Sequence, residues 1–170
     1  MTGETMLSIA LGVCMGVAAT VTMDVLSSAS RRFGLAAGAE GQWLGRWYLG
    51  MLRGRFIHQD ITVSPVLEGE KQAALVGHFV IGITLAVLYV VGADWLDFSP
   101  GVFFIALGYG FATCVFPWFL LFPALGFGFF GLRAPPELRL FTASLMNHLF
   151  YGFGLWWSVR IFTLIPGTGV

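Results

Sequence analysis

The longest uncharged stretch of the chain constrains its fold more than any other feature. No charged residue occurs from Gly101 to Leu132, and a single helix of that length would measure about 48 Å at 1.5 Å per residue. The hydrocarbon core of a bilayer is only about 30 Å thick. Pro117 and Pro123 each remove a backbone donor and clash with the preceding turn. We therefore predict a membrane helix over residues 101–122, broken at its prolines, and an interfacial or shallow re-entrant segment over residues 124–132.

The composition places the whole chain in the same class. Of its 170 residues, 57% are hydrophobic and 11% are charged, and the mean hydropathy is +0.82, which is not expected of a water-soluble domain of this size. The formal net charge is zero, and no basic domain or zinc-finger spacing points to nucleic acid. Cys14 and Cys114 lie in apolar stretches, where we expect buried thiols and no disulfide framework. The lipid bilayer is the partner that the composition indicates.

Three further stretches are long and apolar enough to cross a membrane, because about 20 apolar residues span the hydrocarbon core. They predict helices over residues 6–28, 73–93 and 140–165. The N-terminus lacks the basic residues that precede the apolar part of a secretory signal peptide, so we expect the first span to be retained. The predicted fold is an all-α integral membrane protein: a four-transmembrane-helix bundle forming a single membrane domain over residues 1–170.

A long polar-rich connection, residues 29–72, joins the first two spans. Its segment 41–57 repeats large apolar residues at helical spacing, with Arg46 and Arg53 on the other side, which predicts an amphipathic helix in the membrane interface. Most basic residues lie in this connection or between the last two spans. The positive-inside rule then places both connections in the cytoplasm and both termini outside.

Asp24, His78 and His148 are ionisable residues inside or at the ends of predicted spans. A charge at the bilayer centre costs about 3 kcal/mol, so such side chains usually face the protein interior. Counting from the span ends places all three near the same side of the membrane, and small residues repeat every four positions on the same helix faces. We predict that they form one buried polar pocket on the cytoplasmic side. The candidate neighbours in that pocket are Thr20, Asn147 and Tyr151.

Several chemistries fit such a pocket, and the sequence leaves the choice open. The pocket could bind a small ligand, an ion or a lipid head group, and exchange a proton during transport. Asp24, His78 and His148 could instead hold a divalent metal in a membrane enzyme, although no HExxH or CxxC spacing supports this. Haem fits less well, because the two histidines differ in depth by about one helical turn. The same residues could also only pin helices together in a structural or accessory subunit.

The basic residues of the connection are predicted to contact lipid. Arg46, Arg53 and Arg55 are expected to form a solvated face that meets anionic head groups, and His58 and Glu70 are expected in an ordinary polar loop. If the interfacial helix covers the cytoplasmic mouth of the bundle, Arg46, His58 and Glu70 could reach the same site as the intramembrane carboxylate.

Five sequence blocks together resemble a known family: ATVTMDV, GRWYLGMLRGRFIHQDI, GEKQAALVGHFVIG, FPWFLLFPALGFG and LMNHLFYGFGLW. Over nearly all of its length the chain resembles the small bacterial membrane proteins catalogued as domain of unknown function 2938. The resemblance implies no established activity or cofactor. We expect a ligand-binding protein of the bacterial inner membrane that forms a homo-oligomer or takes a partner if it transports, and we disfavour an enzyme. The blocks contain Asp24, Arg46, His58, Glu70, His78 and His148.

Overall fold

The computed structural model describes residues 3–34, 38–39 and 41–164. Six α-helices are defined within these residues: α1 Gly3–Arg32, α2 Gly41–Met51, α3 Glu70–Leu96, α4 Phe103–Thr113, α5 Phe122–Leu125 and α6 Leu140–Thr163. The shorter helical turns are a π-helix, Pro117–Leu121, and two 3-10 helices, Phe129–Gly131 and Pro136–Leu138. The described residues contain no strand, so the all-α prediction is confirmed.

Three helical stretches among the described residues are long and apolar enough to cross a membrane: Met6–Arg32, Glu70–Leu96 and Phe103–Leu125. Each overlaps one of the predicted spans. The helix α6 has 24 residues but does not belong to this group, since polar residues such as Asn147, His148 and Arg160 lower its mean hydropathy. The fourth crossing therefore stays a prediction, and its predicted end at residue 165 lies outside the described residues.

The third predicted span is irregular near Pro117, although Phe103–Leu125 remains one helical stretch. The helix α4 ends at Thr113, and the chain continues through the π-helix that begins at Pro117. A proline cannot donate to the preceding turn, so a local widening into a π-helix accommodates it. Pro123 does not add a second irregularity, because it lies in the first turn of α5, where a missing N–H is tolerated. Gly126, with φ of 95°, then ends α5 in the left-handed conformation typical of helix C-termini.

The chain forms two compact units. Unit 1 comprises Met1–Ala29, Phe79–Thr113 and Asn147–Val170, and unit 2 comprises Ser30–His78 and Cys114–Met146. The described part of unit 1 has a core of residues from α1, α3, α4 and α6, among them the fully buried Met15 and Leu155.

Glycines allow α1 and α3 to pack closely within unit 1. A Cβ atom on Gly12 would lie 2.8 Å from the Cα of Val87, and one on Gly16 would lie 2.6 Å from the Cα of Ile83. Both distances are far below van der Waals contact between carbons. The prediction that small residues at this spacing form the helix contacts is therefore confirmed for these two positions.

Unit 2 has its own core, which is built around α2. Trp43 and Trp47 of this helix are buried against residues that follow it and against the third predicted span, namely Ile61, Phe122, Ala124, Leu125, Phe127 and Leu140. The predicted amphipathic helix is thus present over Gly41–Met51, shorter than the predicted segment 41–57. Its two tryptophans are covered by protein.

Candidate functional site

A buried arginine on α2 organises this part of unit 2. The side chain of Arg46 is 4% exposed, and its Nε and Nη2 donate to the two carboxylate oxygens of Glu70, at 2.8 and 3.0 Å. Its Nη1 donates to the carbonyls of Ile61 and Ser64, at 2.9 and 2.8 Å. Two parallel bonds between a guanidinium and a carboxylate fix both distance and orientation. Arg46 therefore ties α2 to the first residue of α3 and to the loop between the two helices.

Gly45 allows the backbone of α2 to reach the beginning of α3. A Cβ atom at this position would overlap the carbonyl of Glu70 and lie 2.7 Å from the backbone nitrogen of Ala74. The carboxylate of Glu70 also accepts a hydrogen bond from the N–H of Leu67 at 3.2 Å, and a negative charge is favoured at a helix N-terminus. The close approach at Gly45 thus brings the carboxylate within reach of Arg46.

The end of α5 holds the loop that follows α2. The last carbonyls of a helix lack helical partners, and those of Ala124 and Leu125 accept hydrogen bonds from the backbone N–H groups of His58 and Ile61, at 2.7 and 3.0 Å. The indole N–H of Trp47 also donates to the carbonyl of Phe56 at 2.8 Å. The end of α5 therefore helps to position His58.

His58 has one bonded and one unbonded ring nitrogen. Its Nδ1 lies 3.1 Å from the hydroxyl oxygen of Ser64, and that hydroxyl donates its single proton to the carbonyl of Asp60 at 3.0 Å. The hydroxyl must then accept from Nδ1–H, which assigns the neutral tautomer with its lone pair on Nε2. Nε2 is buried and has no hydrogen-bond partner. Such unpaired polar atoms are uncommon in folded proteins.

A cavity of about 380 Å³ lies beside the His58 ring. Gly50 contributes to its wall, and a methyl group at that position would lie 3.4 Å from Nε2 of His58. Arg53 and Arg55 are exposed and add two positive charges, whereas the charge of Arg46 is balanced by Glu70. The cavity is lined by Arg46, Gly50, Arg53, Arg55, His58, Ser64, Pro65 and Leu67.

The surroundings of His58 are electropositive. Burial lowers the pKa of His58 below its ordinary value of 6.5, and the positive charges of Arg55 and Arg46 lower this pKa further. The imidazole is therefore neutral at pH 7, in agreement with the tautomer assigned from its hydrogen bonds. A positive field that disfavours the imidazolium ion favours a bound anion at the same place.

Comparison with models of protein families identifies the chain. The model described as "Protein of unknown function (DUF2938)" matches residues 13–162. The chain belongs to the DUF2938 family. This confirms the resemblance seen in the sequence blocks. No curated protein and no solved structure matches the chain. The family match includes the whole cavity of the DUF2938 protein, and the family's unknown function assigns no activity to it.

The structure corrects the predicted surroundings of three residues in this DUF2938 protein. Arg46 was expected on a solvated face, and His58 and Glu70 in a polar loop, but the three residues are only 4%, 6% and 5% exposed. The helical periodicity separates Arg46 from the centre of the apolar face of α2. It does not show that the chain from Ile61 to Glu70 covers that side of α2. Arg53 and Arg55 are exposed, as expected.

Sequence reasoning missed Ser64, although its carbonyl binds Arg46 and its hydroxyl binds His58. A serine before a proline in a polar loop carries no signal of such contacts. Gly50 was missed as well. It lies close to the His58 ring, since a methyl group there would be 3.4 Å from Nε2.

The predicted intramembrane pocket of the DUF2938 protein draws on residues of both units. Asp24 on α1 and His148 on α6 belong to unit 1, His78 on α3 belongs to unit 2, and all three are half-buried. Nδ1 of His148 lies 2.7 Å from the hydroxyl oxygen of Thr113. That the three ionisable residues form one pocket stays a prediction. Across residues 3–34, 38–39 and 41–164, no three His, Cys, Asp or Glu side chains are arranged to hold a metal ion.

The predicted neighbours in that pocket form hydrogen bonds within unit 1. Thr20 donates to the carbonyl of Gly16 on its own helix, at 2.7 Å. Asn147 accepts from Ser27 at 2.6 Å, which joins α6 to α1, and Tyr151 donates to the carbonyl of Gly82 at 2.5 Å, which joins α6 to α3. Polar side chains commonly connect packed membrane helices in this way. The observed bonds of Asn147 and Tyr151 therefore fit the structural alternative.

Proposed function

We propose that this DUF2938 protein is a membrane protein of the bacterial inner membrane that binds an anion of phosphate type in the cavity beside His58. The anion is either a free small molecule or the head group of an anionic lipid. The observation that carries the proposal is a cavity that combines the exposed guanidinium groups of Arg53 and Arg55 with a buried, neutral imidazole. Arg46 has a structural role in the site, because its side chain already donates hydrogen bonds to Glu70 and to two backbone carbonyls.

The chemistry of the cavity wall supports an oxyanion, such as a phosphate, over neutral or cationic ligands. Guanidinium groups present planar sets of donors that match phosphate and carboxylate oxygens. The cavity volume of about 380 Å³ falls in the range of about 300–1,000 Å³ that is common for small-molecule sites. Among its eight lining residues none is Asp or Glu, so the wall itself offers no negative charge to repel an anion.

The proposed location is supported by the three apolar helices and by the distribution of basic residues. With α6 as a fourth crossing, both arginine-containing connections would lie in the cytoplasm and both termini outside. The cavity would then meet the leaflet surface where anionic lipids concentrate. Single cysteines at Glu68 and Asp97, in a chain lacking Cys14 and Cys114, test this topology. We expect a membrane-impermeant thiol reagent to label the first only in inverted vesicles and the second only in right-side-out vesicles.

The binding proposal is tested by titrating purified protein with inorganic phosphate in detergent, and by measuring its thermal stabilisation in nanodiscs with and without phosphatidylglycerol. Stabilisation by phosphatidylglycerol in nanodiscs would identify a lipid head group as the ligand. Binding of inorganic phosphate in detergent would identify a soluble anion. We expect Arg53→Ala combined with Arg55→Ala to weaken binding by about tenfold or more, since charge-assisted bonds are lost.

A charge-matched control separates a specific site from general attraction. Arg32→Ala combined with Arg133→Ala removes two positive charges from exposed positions that do not line the cavity. This variant should keep its affinity within about twofold, because exposed charges at a distance are screened by salt. Equal losses in both double variants, or no binding by the wild type in either arm, would contradict the proposal.

A transport role would need more helices than one chain supplies. Four short spans form a pathway across a bilayer only with difficulty, so we propose a homo-oligomer or a membrane partner if the bound anion is moved. The mass of the protein in detergent, measured by light scattering with the detergent contribution subtracted, tests this part. A monomer that still moved phosphate into liposomes would contradict it.

A further inference from the structure

The unpaired Nε2 of His58 indicates what the ligand carries besides its negative charge. This inference rests on the proposed anion site and specifies its ligand. We infer that the ligand is a phosphate ester that also bears a hydroxyl group, as in glycerol phosphate or the head group of phosphatidylglycerol, and that this hydroxyl donates a hydrogen bond to Nε2 of His58.

The local hydrogen bonds fix His58 as an acceptor on the cavity side. The only proton of the Ser64 hydroxyl is used on the carbonyl of Asp60 at 3.0 Å, so Nδ1 of His58 must supply the proton between the two side chains. Nε2 then holds a lone pair. A fully ionised phosphate offers only lone pairs and would repel it, whereas a hydroxyl group supplies the missing donor.

Nε2 has almost no exposed surface, so a ligand hydroxyl reaches it only if the residues around it move. Gly50, which has no side chain, is the lining residue beside this nitrogen, and a methyl group there would lie 3.4 Å from it. The guanidinium groups of Arg53 and Arg55 belong to the same cavity. With that movement, a ligand with an anionic group and a hydroxyl a few bonds apart can satisfy both the arginines and the imidazole.

Nε2 of His58 is one of two such unpaired atoms among the described residues, and the one that belongs to a residue lining the cavity. Tyr48 Oη is the other buried side-chain polar atom of the described residues that lacks a hydrogen-bond partner, and Tyr48 does not line the cavity. Buried acceptors left without a donor are destabilising. The missing donor at His58 is thus best explained by a ligand that brings it.

The test compares ligands that differ in their hydroxyl groups. Glycerol phosphate and propyl phosphate are titrated into the full-length protein at about pH 8, where both are dianions because the second phosphate pKa is about 6. The lipid arm compares nanodiscs containing phosphatidylglycerol with nanodiscs containing phosphatidylmethanol, which has the same charge and no hydroxyl. We expect the hydroxylated member of the pair to bind about fivefold more tightly, as one added hydrogen bond to a buried acceptor predicts.

Two variants of His58 test the roles of its two ring nitrogens separately. In His58→Gln the amide oxygen can replace the Nε2 acceptor, so the preference for the hydroxylated ligand should persist. In His58→Asn the shorter amide can keep the bond to Ser64 but does not reach the position of Nε2, so the preference should disappear while the phosphate group still binds. Unfolding temperatures within a few degrees of the wild type establish that the variants are folded.

Ser64→Ala provides a second, independent readout. Without the hydroxyl, Nδ1 loses its acceptor and the proton can move to Nε2, where it would donate directly to a phosphate oxygen. We expect the hydroxyl preference to vanish and the ring ¹⁵N shifts of His58 to exchange their pattern between Nδ1 and Nε2.

The outcomes distinguish the two proposals. Equal binding of both ligands, still weakened by the loss of Arg53 and Arg55, would overturn the hydroxyl inference and leave the anion site standing. A persisting preference in His58→Asn or in Ser64→Ala would also overturn the inference. Failure of every phosphate ligand to bind the wild type would overturn the anion site itself.

Discussion

Arg46 and Glu70 form an ion pair that is almost completely enclosed by unit 2, with side chains only 4% and 6% exposed. The two donor–acceptor distances are 2.8 and 3.0 Å. A buried pair of this kind contributes to stability only while both partners are present, because an isolated buried charge is strongly unfavourable.

Arg46→Ala should therefore destabilise the protein by about 3–5 kcal/mol, because it leaves the Glu70 carboxylate buried without its partner. Arg53→Ala removes the same kind of side chain from an exposed position nearby and should change stability by less than about 0.5 kcal/mol. Chemical unfolding in detergent, followed by tryptophan fluorescence, compares the two. Similar stabilities for both variants would show that the ion pair does not hold α2 in place.

Gly45→Ala should disrupt the same region from the backbone side. The new Cβ would overlap the carbonyl of Glu70, so α2 must move away and lengthen the bonds of Arg46. We expect a loss of about 2–3 kcal/mol, in the range of overpacked sites. Gly41→Ala is the matched control on the same helix, because a Cβ there meets nothing within 4 Å. It should be neutral or slightly stabilising, and equal effects of the two substitutions would contradict the close contact.

The fold was predictable where apolar periodicity and helix-breaking residues act locally. The apolar stretches predicted the long helices α1 and α3, and Pro117 marked the start of the π-helix in the third span. The ends of α2 were harder, because the apolar pattern continues past Met51 while the chain turns at Gly54, which has φ of 76°. Whether α6 crosses the membrane stays a prediction, because its polar residues lower the mean hydropathy by which a span is recognised.

The candidate site was predictable in its residue types and not in its arrangement. Arg46, Arg53, Arg55 and His58 stood out as titratable or charged residues, yet helical spacing could not show which of them would be buried. Arg46 and Glu70 are 24 residues apart, and only the fold brings them together. The tautomer of His58 depends on Ser64 and Asp60, a contact set by the shape of a loop that no pattern encodes.

Two tyrosines provide a paired test of the hydrogen bonds that the structure assigns. The hydroxyl of Tyr151 donates to Gly82 at 2.5 Å, whereas the hydroxyl of Tyr48 is buried without a partner, and burial raises the pKa of Tyr48 to about 12. Tyr151→Phe should cost about 1 kcal/mol. Tyr48→Phe removes an unsatisfied polar atom and should be neutral or stabilising. The measurement is the unfolding midpoint in detergent, and a larger loss for Tyr48→Phe would contradict the assigned contacts.

Anion binding should depend on pH through His58. In the empty cavity, burial and the charges of Arg55 and Arg46 hold the pKa of His58 below 6.5. A bound anion offsets those positive charges and raises this pKa, so the complex takes up a proton that the empty protein does not. By linkage, the affinity for the anion increases as the pH falls through the pKa of His58 in the complex and then through its lower pKa in the empty protein. Above both pKa values the affinity stays constant.

Sulfate is the suitable probe for this dependence, because its charge does not change across the range. Its affinity for the wild type should rise by about tenfold between neutral and mildly acidic pH, which corresponds to a pKa difference of about one unit. His58→Gln keeps the arginines and cannot take up the proton, so its affinity should stay flat. An equal rise in this variant would assign the effect to another group. A flat profile in the wild type would mean that the anion binds too far from His58 to influence its pKa.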